Sequence, residues 1–226
     1  MRKDGLETKK KILSACVHLF LEQGYKNTSI SQITKEAGVT RGSFQNLFPT
    51  KDAILLELAG TMFDGQFGMA KDIAKGNLSP LYVYAAETAI QLTITEMNEN
   101  LRDIYLEAYT IPSTADFLHL HTAKELKAIF GPNFPDYSDS DFYEMEIGSA
   151  GIMRNYMAKE CDVYFPLERK IERFLEASMR VYKVPEGQQK QVFDFIAGLD
   201  VEALATDVMN KLFTMLETSY DFKLDK

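Results

Sequence analysis

The chain holds two cysteines among its 226 residues and has no run of eighteen apolar residues and no alternating apolar–polar stretch. The missing apolar run excludes a membrane-spanning helix. Cys16 and Cys161 lie far apart without metal-ligand spacing, which predicts two reduced thiols in a cytoplasmic protein. The opening "MRKDGLETKKKIL" lacks the basic, apolar, small-residue order of a secretory leader, so no signal peptide is expected. No nucleophile elbow, phosphate loop, zinc motif or paired-carboxylate spacing is found, and the reading is of no enzyme, no cofactor and no metal. His119 and His121, two apart on a helix, point to different faces and make no metal pair. The acids of "DYSDSDFYEME" read as complements to a helix dipole.

Positive charge is also scarce, at 25 Lys and Arg against 33 Asp and Glu, a formal net of −8. That balance argues against a nucleic-acid partner until the chain is split. Residues 1–51 hold nine basic residues and four acids, leaving 16 basic and 29 acidic residues for the remainder. A basic head that meets polyanions and an acidic body that does not are the expectation.

Periodicity is helical throughout, and the fold is predicted to be all-α. Ile12, Leu13, Cys16, Leu19 and Phe20 share one helical face, which Gly24 ends, with Phe20 and Tyr25 placed to touch across the break. Ser29 and Gln32 form a capping box for a second helix carrying Ile30, Ile33 and Ala37. Gly38 breaks it, and Thr40 caps a short third helix. Thr50 caps a fourth, expected to run to about Lys75. Further helices are predicted near 80–97, 101–110, 113–130, 141–160, 166–183, 187–197 and 201–220. The domain reading is 1–50 as head and 51–226 as helical body.

The second and third helices, joined at Gly38 and sharing a seam of Ile33, Ala37, Val39, Phe44 and Leu47, match a helix-turn-helix. Opposite the seam lie Gly42, Gln45 and Asn46, flanked by Arg41 and Ser43. Gln and Asn suit adenine N6 and N7, Arg suits guanine O6 and N7, and Gly42 lets backbone approach closely. Thr28 and Lys51, near helix N-termini, are candidates for phosphate contact.

Residues 8–58 resemble the DNA-binding domain of the TetR family of bacterial transcriptional regulators. "TKKKILSACVHLFLEQGYKNTSISQITKEAGVTRGSF" and the following "FPTKDAIL" carry the resemblance, which covers about a quarter of the chain. It implies DNA contact at Thr28, Thr40, Arg41, Gly42, Ser43 and Lys51. Where the family usually has Tyr, often His, and Tyr, this chain has Gln45, Asn46 and Leu47, so the position of Gln45 and Asn46 carries over but their chemistry is new.

The body is rich in Phe, Tyr and Met, most of which suit plain core; Met and Tyr also line adaptable cavities. The resemblance implies a ligand cavity there, for an unknown, mainly apolar small-molecule effector. Phe63, Phe67, Tyr105, Tyr109, His119, Met153 and Asn155 are its candidate lining. A homodimer on a pseudo-palindromic site in double-stranded DNA is expected, because one short helix reads few bases. Its interface is assigned to 141–160 and 166–183, through Gly148, Gly151, Ile152, Tyr156, Ile171, Phe174 and Leu175. Three functions compete: a ligand-released repressor, a DNA-binding protein whose acidic body docks a protein partner, and, weakest, a helical enzyme with a decorative helix-turn-helix.

Overall fold

The computed structural model describes residues 3–61 and 79–220, and its regular elements there are helices. The head is α1 (Lys3–Asn27), α2 (Ile30–Glu36) and α3 (Arg41–Leu47), followed by α4, described over 51–61. The expected extension of α4 to Lys75 lies outside the described residues, as do Phe63 and Phe67.

Local chemistry sets the head's joints. Gly24 breaks α1 with φ +82, and the Phe20 and Tyr25 rings meet 5.1 Å apart across the break. Ser29 and Gln32 close the capping box at the start of α2. Gly38 (φ +63) takes the left-handed turn between α2 and α3, which a side chain would strain. Thr40 Oγ1 accepts from the Ser43 N–H at 3.0 Å, and Thr50 Oγ1 from that of Ala53 at 3.2 Å. Each hydroxyl satisfies an amide the helix leaves open.

The body comprises α5 (Pro80–Met97), α6 (Glu99–Ala108), α7 (Pro112–Phe130), a 3-10 turn at Gly131–Asn133, α8 (Asp139–Ala158), α9 (Leu167–Val181), α10 (Glu186–Ala197) and α11 (Val201–Tyr220). α5 is buried on most sides and forms the axis of the body. Its Thr88, Thr93 and Thr95 hydroxyls donate to carbonyls of their own helix at 2.7–2.9 Å, so they are buried with partners. α9 is amphipathic, turning Ile171, Phe174, Leu175 and Met179 inward and Glu168, Arg169, Glu172 and Arg173 to water.

Two apolar clusters result. The head's cluster does not stop at residue 50: it takes Ile54, Leu55 and Leu58 from α4, and Ala108, Leu118 and Leu216 from the body. The larger cluster surrounds α5 and includes Phe130, Phe142, Met153, Phe174 and Tyr182. Head and body are thus joined through packed side chains as well as along the chain.

Candidate nucleic-acid interface and cavity

On α3, Phe44 is buried and Leu47 half-buried against the head's core, with Phe48 buried just beyond. Arg41, Gly42, Gln45 and Asn46 are all exposed, and Ser43 is half-buried beside Thr40. A helix anchored by aromatic rings thus presents one guanidinium and two amides outward. A Cβ on Gly42 would meet only the Thr40 hydroxyl, at 3.8 Å, so this end of α3 is open.

Thr28 and Lys51 sit differently from the exposed phosphate contacts expected of them. Thr28 is 2% exposed, and its hydroxyl donates to the Gly24 carbonyl at 2.8 Å. Lys51 turns inward: its Nζ donates to the carbonyls of Tyr25 (2.6 Å) and Thr28 (2.8 Å) and lies 3.9 Å from the centre of the Tyr25 ring. Burial lowers the Lys51 pKa, against the pull of Asp52, which itself accepts from the Tyr25 hydroxyl. These groups staple α4 to the end of α1 and so fix the base of the helix-turn-helix.

The body holds a cavity of about 90 Å³ among α4, α5, α6, α7, α8 and α9. Tyr105, Tyr109 and Met153 line it as expected, and Tyr109 accepts from Gln91 Nε2 at 3.2 Å. His119 and Asn155 do not. His119 packs against Tyr143, with burial lowering its pKa, and Asn155 is exposed with its amide donating to the Gly151 carbonyl. Each lies on the wrong side of its helix, about 100° per residue from the lining positions Leu118, Thr122 and Met153.

The lining also includes polar groups that the sequence reading passed over: Glu87, Gln91, Glu125 and Glu146. Glu146 is 4% exposed, and burial pushes its carboxyl up to about 8. A signal was present, since Glu146 occupies the buried period of α8 set by Phe142, Ala150, Met153 and Met157. An acid at a core position is the kind of buried polar group that calls for a partner or a task.

The family model for bacterial regulatory proteins of the tetR family matches residues 12–58, from within α1 into α4. The likeness to that family lies in the head. Over 95 residues it is 32% identical to the uncharacterized HTH-type transcriptional regulator YuxN of Bacillus subtilis, a match covering 42% of this chain and 31% of that one. It therefore spans less than a third of that relative's length. YxaF of the same organism, also an uncharacterized HTH-type regulator, is 25% identical over 157 residues, 67% of this chain and 81% of its own. Both are named as transcriptional regulators. The crystal structure of RolR with resorcinol shares the fold, with a TM-score of 0.64 at 16% identity over 88% of this chain and 97% of that one.

The residues assigned to a dimer interface divide. Gly148 is exposed, Gly151, Ile152 and Tyr156 are half-buried, and all four are on α8. Ile171, Phe174 and Leu175 are 0–4% exposed inside the chain's own core and have no area to offer a partner, which corrects their assignment. The outer face of α9 is charged instead, with Arg173 and Arg180 both paired to Glu176. Among the described residues, no group of three or more His, Cys, Asp or Glu side chains is placed to hold a metal ion, and no helix is long and apolar enough to cross a membrane.

Proposed function

We propose that this protein is a cytoplasmic transcriptional repressor, a homodimer that reads a pseudo-palindromic site in double-stranded DNA and leaves it when a small, mainly apolar ligand fills the cavity in each body. α3 is the reading helix, with Arg41, Gln45 and Asn46 addressing base edges and Thr40, Gly42 and Ser43 the backbone beside them.

The observation that carries the regulatory half is the position of α6. One face lines the cavity through Ile104, Tyr105, Ala108 and Tyr109. The other grips the end of α1. Asn100 Nδ2 donates to the Leu21 and Glu22 carbonyls at 2.9 Å, the Lys26 N–H donates to Asp103 at 2.9 Å, and the Lys26 ammonium is 3.1 Å from both Asp103 and Glu107. A cavity of about 90 Å³ is smaller than the ~150 Å³ that admits benzene. A larger ligand therefore has to push a wall outward, and a shift of α6 pulls on α1 and with it the head. The ligand acts by preferring the widened state, in which the two reading helices are wrongly spaced for DNA. A coupling of about 1–3 kcal/mol weakens operator binding roughly 5–150-fold.

The test begins with selection of duplexes from a random pool by the purified protein, followed by anisotropy titration on the enriched sequence. A site with two-fold symmetry, bound far more tightly than scrambled DNA, is expected. Binding that never exceeds that to scrambled DNA would defeat the reading.

A further inference from the structure

Glu96 and Glu146 have different surroundings. Glu96, at the end of α5, faces the Lys170 ammonium at 2.5 Å, the Arg102 guanidinium at 3.3 Å and the Cys161 N–H at 3.0 Å. Glu146 is more deeply buried and has much less: its Oε2 accepts from the Ser149 hydroxyl at 2.7 Å, and Ser149 is in turn 2.7 Å from the Tyr182 hydroxyl. It opens on the cavity, and Glu87 of α5 and Glu125 of α7 line the same space. Among the described residues, no lysine, arginine or histidine lines it. Tyr84, Tyr105, Tyr109 and Phe174 supply aromatic walls.

An ionised carboxylate taken out of water costs several kcal/mol unless a partner offsets it, and one neutral hydroxyl is a weak partner. Core packing would be better served by Leu or Met at this place. We infer that the effector is an organic cation, an ammonium or amidinium on an apolar body, whose charge sits against Glu146 within the aromatic walls. The inference rests on the reading of this cavity as the effector site. The faces of tyrosine and phenylalanine also attract a desolvated cation.

Binding has a proton balance. With its carboxyl pushed up to about 8, Glu146 holds a proton in the empty cavity near neutral pH. A cation that settles against it displaces that proton to solvent, leaving a carboxylate–cation pair. The other titratable groups facing Glu146 are the hydroxyls of Tyr84, Tyr109 and Tyr182, all raised by burial, and the carboxyls of Glu87 and Glu125. The tyrosines stay neutral throughout the window in which Glu146 titrates.

The experiment uses the full chain and three probes of similar size: benzyltrimethylammonium, which carries a permanent charge, benzyl alcohol and benzoate. Affinity is measured by calorimetry at pH 6.5, 7.5 and 8.5. The cation is expected to bind tightest, with Kd falling roughly tenfold per pH unit below 8 and levelling above it, while benzyl alcohol shows no such slope. Glu146→Gln should weaken the cation tenfold or more and abolish its pH slope, while still binding benzyl alcohol. If that variant does not fold, the pH series of the unaltered protein decides alone. Tighter binding of benzyl alcohol or benzoate, or a cation affinity indifferent to pH, overturns the charge assignment and leaves the ligand reading standing. A melting temperature unmoved by the three probes and by a diverse small-molecule library overturns both.

Discussion

Gln45 and Asn46 stand exposed on the face of α3 that an anchored Phe44 turns outward. Their amides can pair with adenine in bidentate fashion, so Gln45→Ala or Asn46→Ala is expected to cost about 1–3 kcal/mol at particular base pairs and little elsewhere. Anisotropy on operators carrying single base changes checks this; equal loss at every position would remove base readout from this face. Lys51 should behave otherwise, because its ammonium already serves two carbonyls. Lys51→Ala is expected to destabilise the head by about 1.5–3 kcal/mol, read from its melting temperature, and to flatten the salt slope of DNA binding by less than one unit. At Glu146 the folded state keeps its proton to about pH 8, while the unfolded carboxyl loses it near 4.5. The folded chain therefore binds more protons between those values, and stability falls as pH rises through that window. Glu146→Gln lacks this dependence, so urea unfolding should find it more stable than the unaltered chain at pH 8, with the gap closing toward pH 5.

At the scale of elements, the knot joining α5, α9 and the turn before α9 offers a sharp test. Lys170 is fully buried and donates to Glu96 and to the Lys159 carbonyl. Burial opposes the charge on Glu96, but Lys170, the Cys161 N–H and Arg102 hold its carboxyl below the usual range. Its contribution to stability is thus present above the unfolded pKa and lost as pH falls through the folded one. Glu96→Ala leaves a buried ammonium unpaired and should cost about 3–5 kcal/mol, measured by denaturant titration at neutral pH. Elements of this kind were legible in the sequence to different degrees. Caps and breaks are local signals, so Ser29 with Gln32, Thr40, Thr50 and Gly24 could be read directly, and α5, α7, α10 and α11 begin and end within one residue of the periodic pattern. What an apolar face packs against is not local. Ile171, Phe174 and Leu175 mark a buried stripe on α9, and their spacing is the same whether the stripe meets α5 and α8 or a second chain. The cavity's lining was legible where apolar period and aromatic type coincided, at Tyr105, Tyr109 and Met153. It was missed at Glu146, where side-chain chemistry contradicted the period.

At the scale of the whole molecule, the proposed dimer sets two reading helices about 34–36 Å apart to meet successive turns of DNA, held there by a symmetric pair of bodies. We propose the outer side of α8 for that pairing. Ile147 is an exposed large apolar residue there, Gly148 is exposed beside it, and Gly151 lies half-buried one turn on. A Cβ placed on Gly148 or Gly151 would meet nothing within 4 Å among the described residues. Within one subunit these glycines therefore relieve no clash, and each weakens the helix by about 1 kcal/mol relative to alanine. Close approach of another backbone gives them a use. Replacing both with leucine, Gly148→Leu with Gly151→Leu, separates the two roles. The folded subunit should be no less stable, because the new side chains enter open space and favour helix. The dimer should dissociate, because those side chains stand where a partner's α8 would pass. Light scattering at micromolar concentration is expected to show a dimer for the unaltered chain and a monomer for the double variant, with operator affinity falling by at least tenfold while the helical circular dichroism is retained. A double variant that stays dimeric and keeps its operator would move the interface off α8, and a monomeric unaltered chain would remove the symmetric-site model altogether.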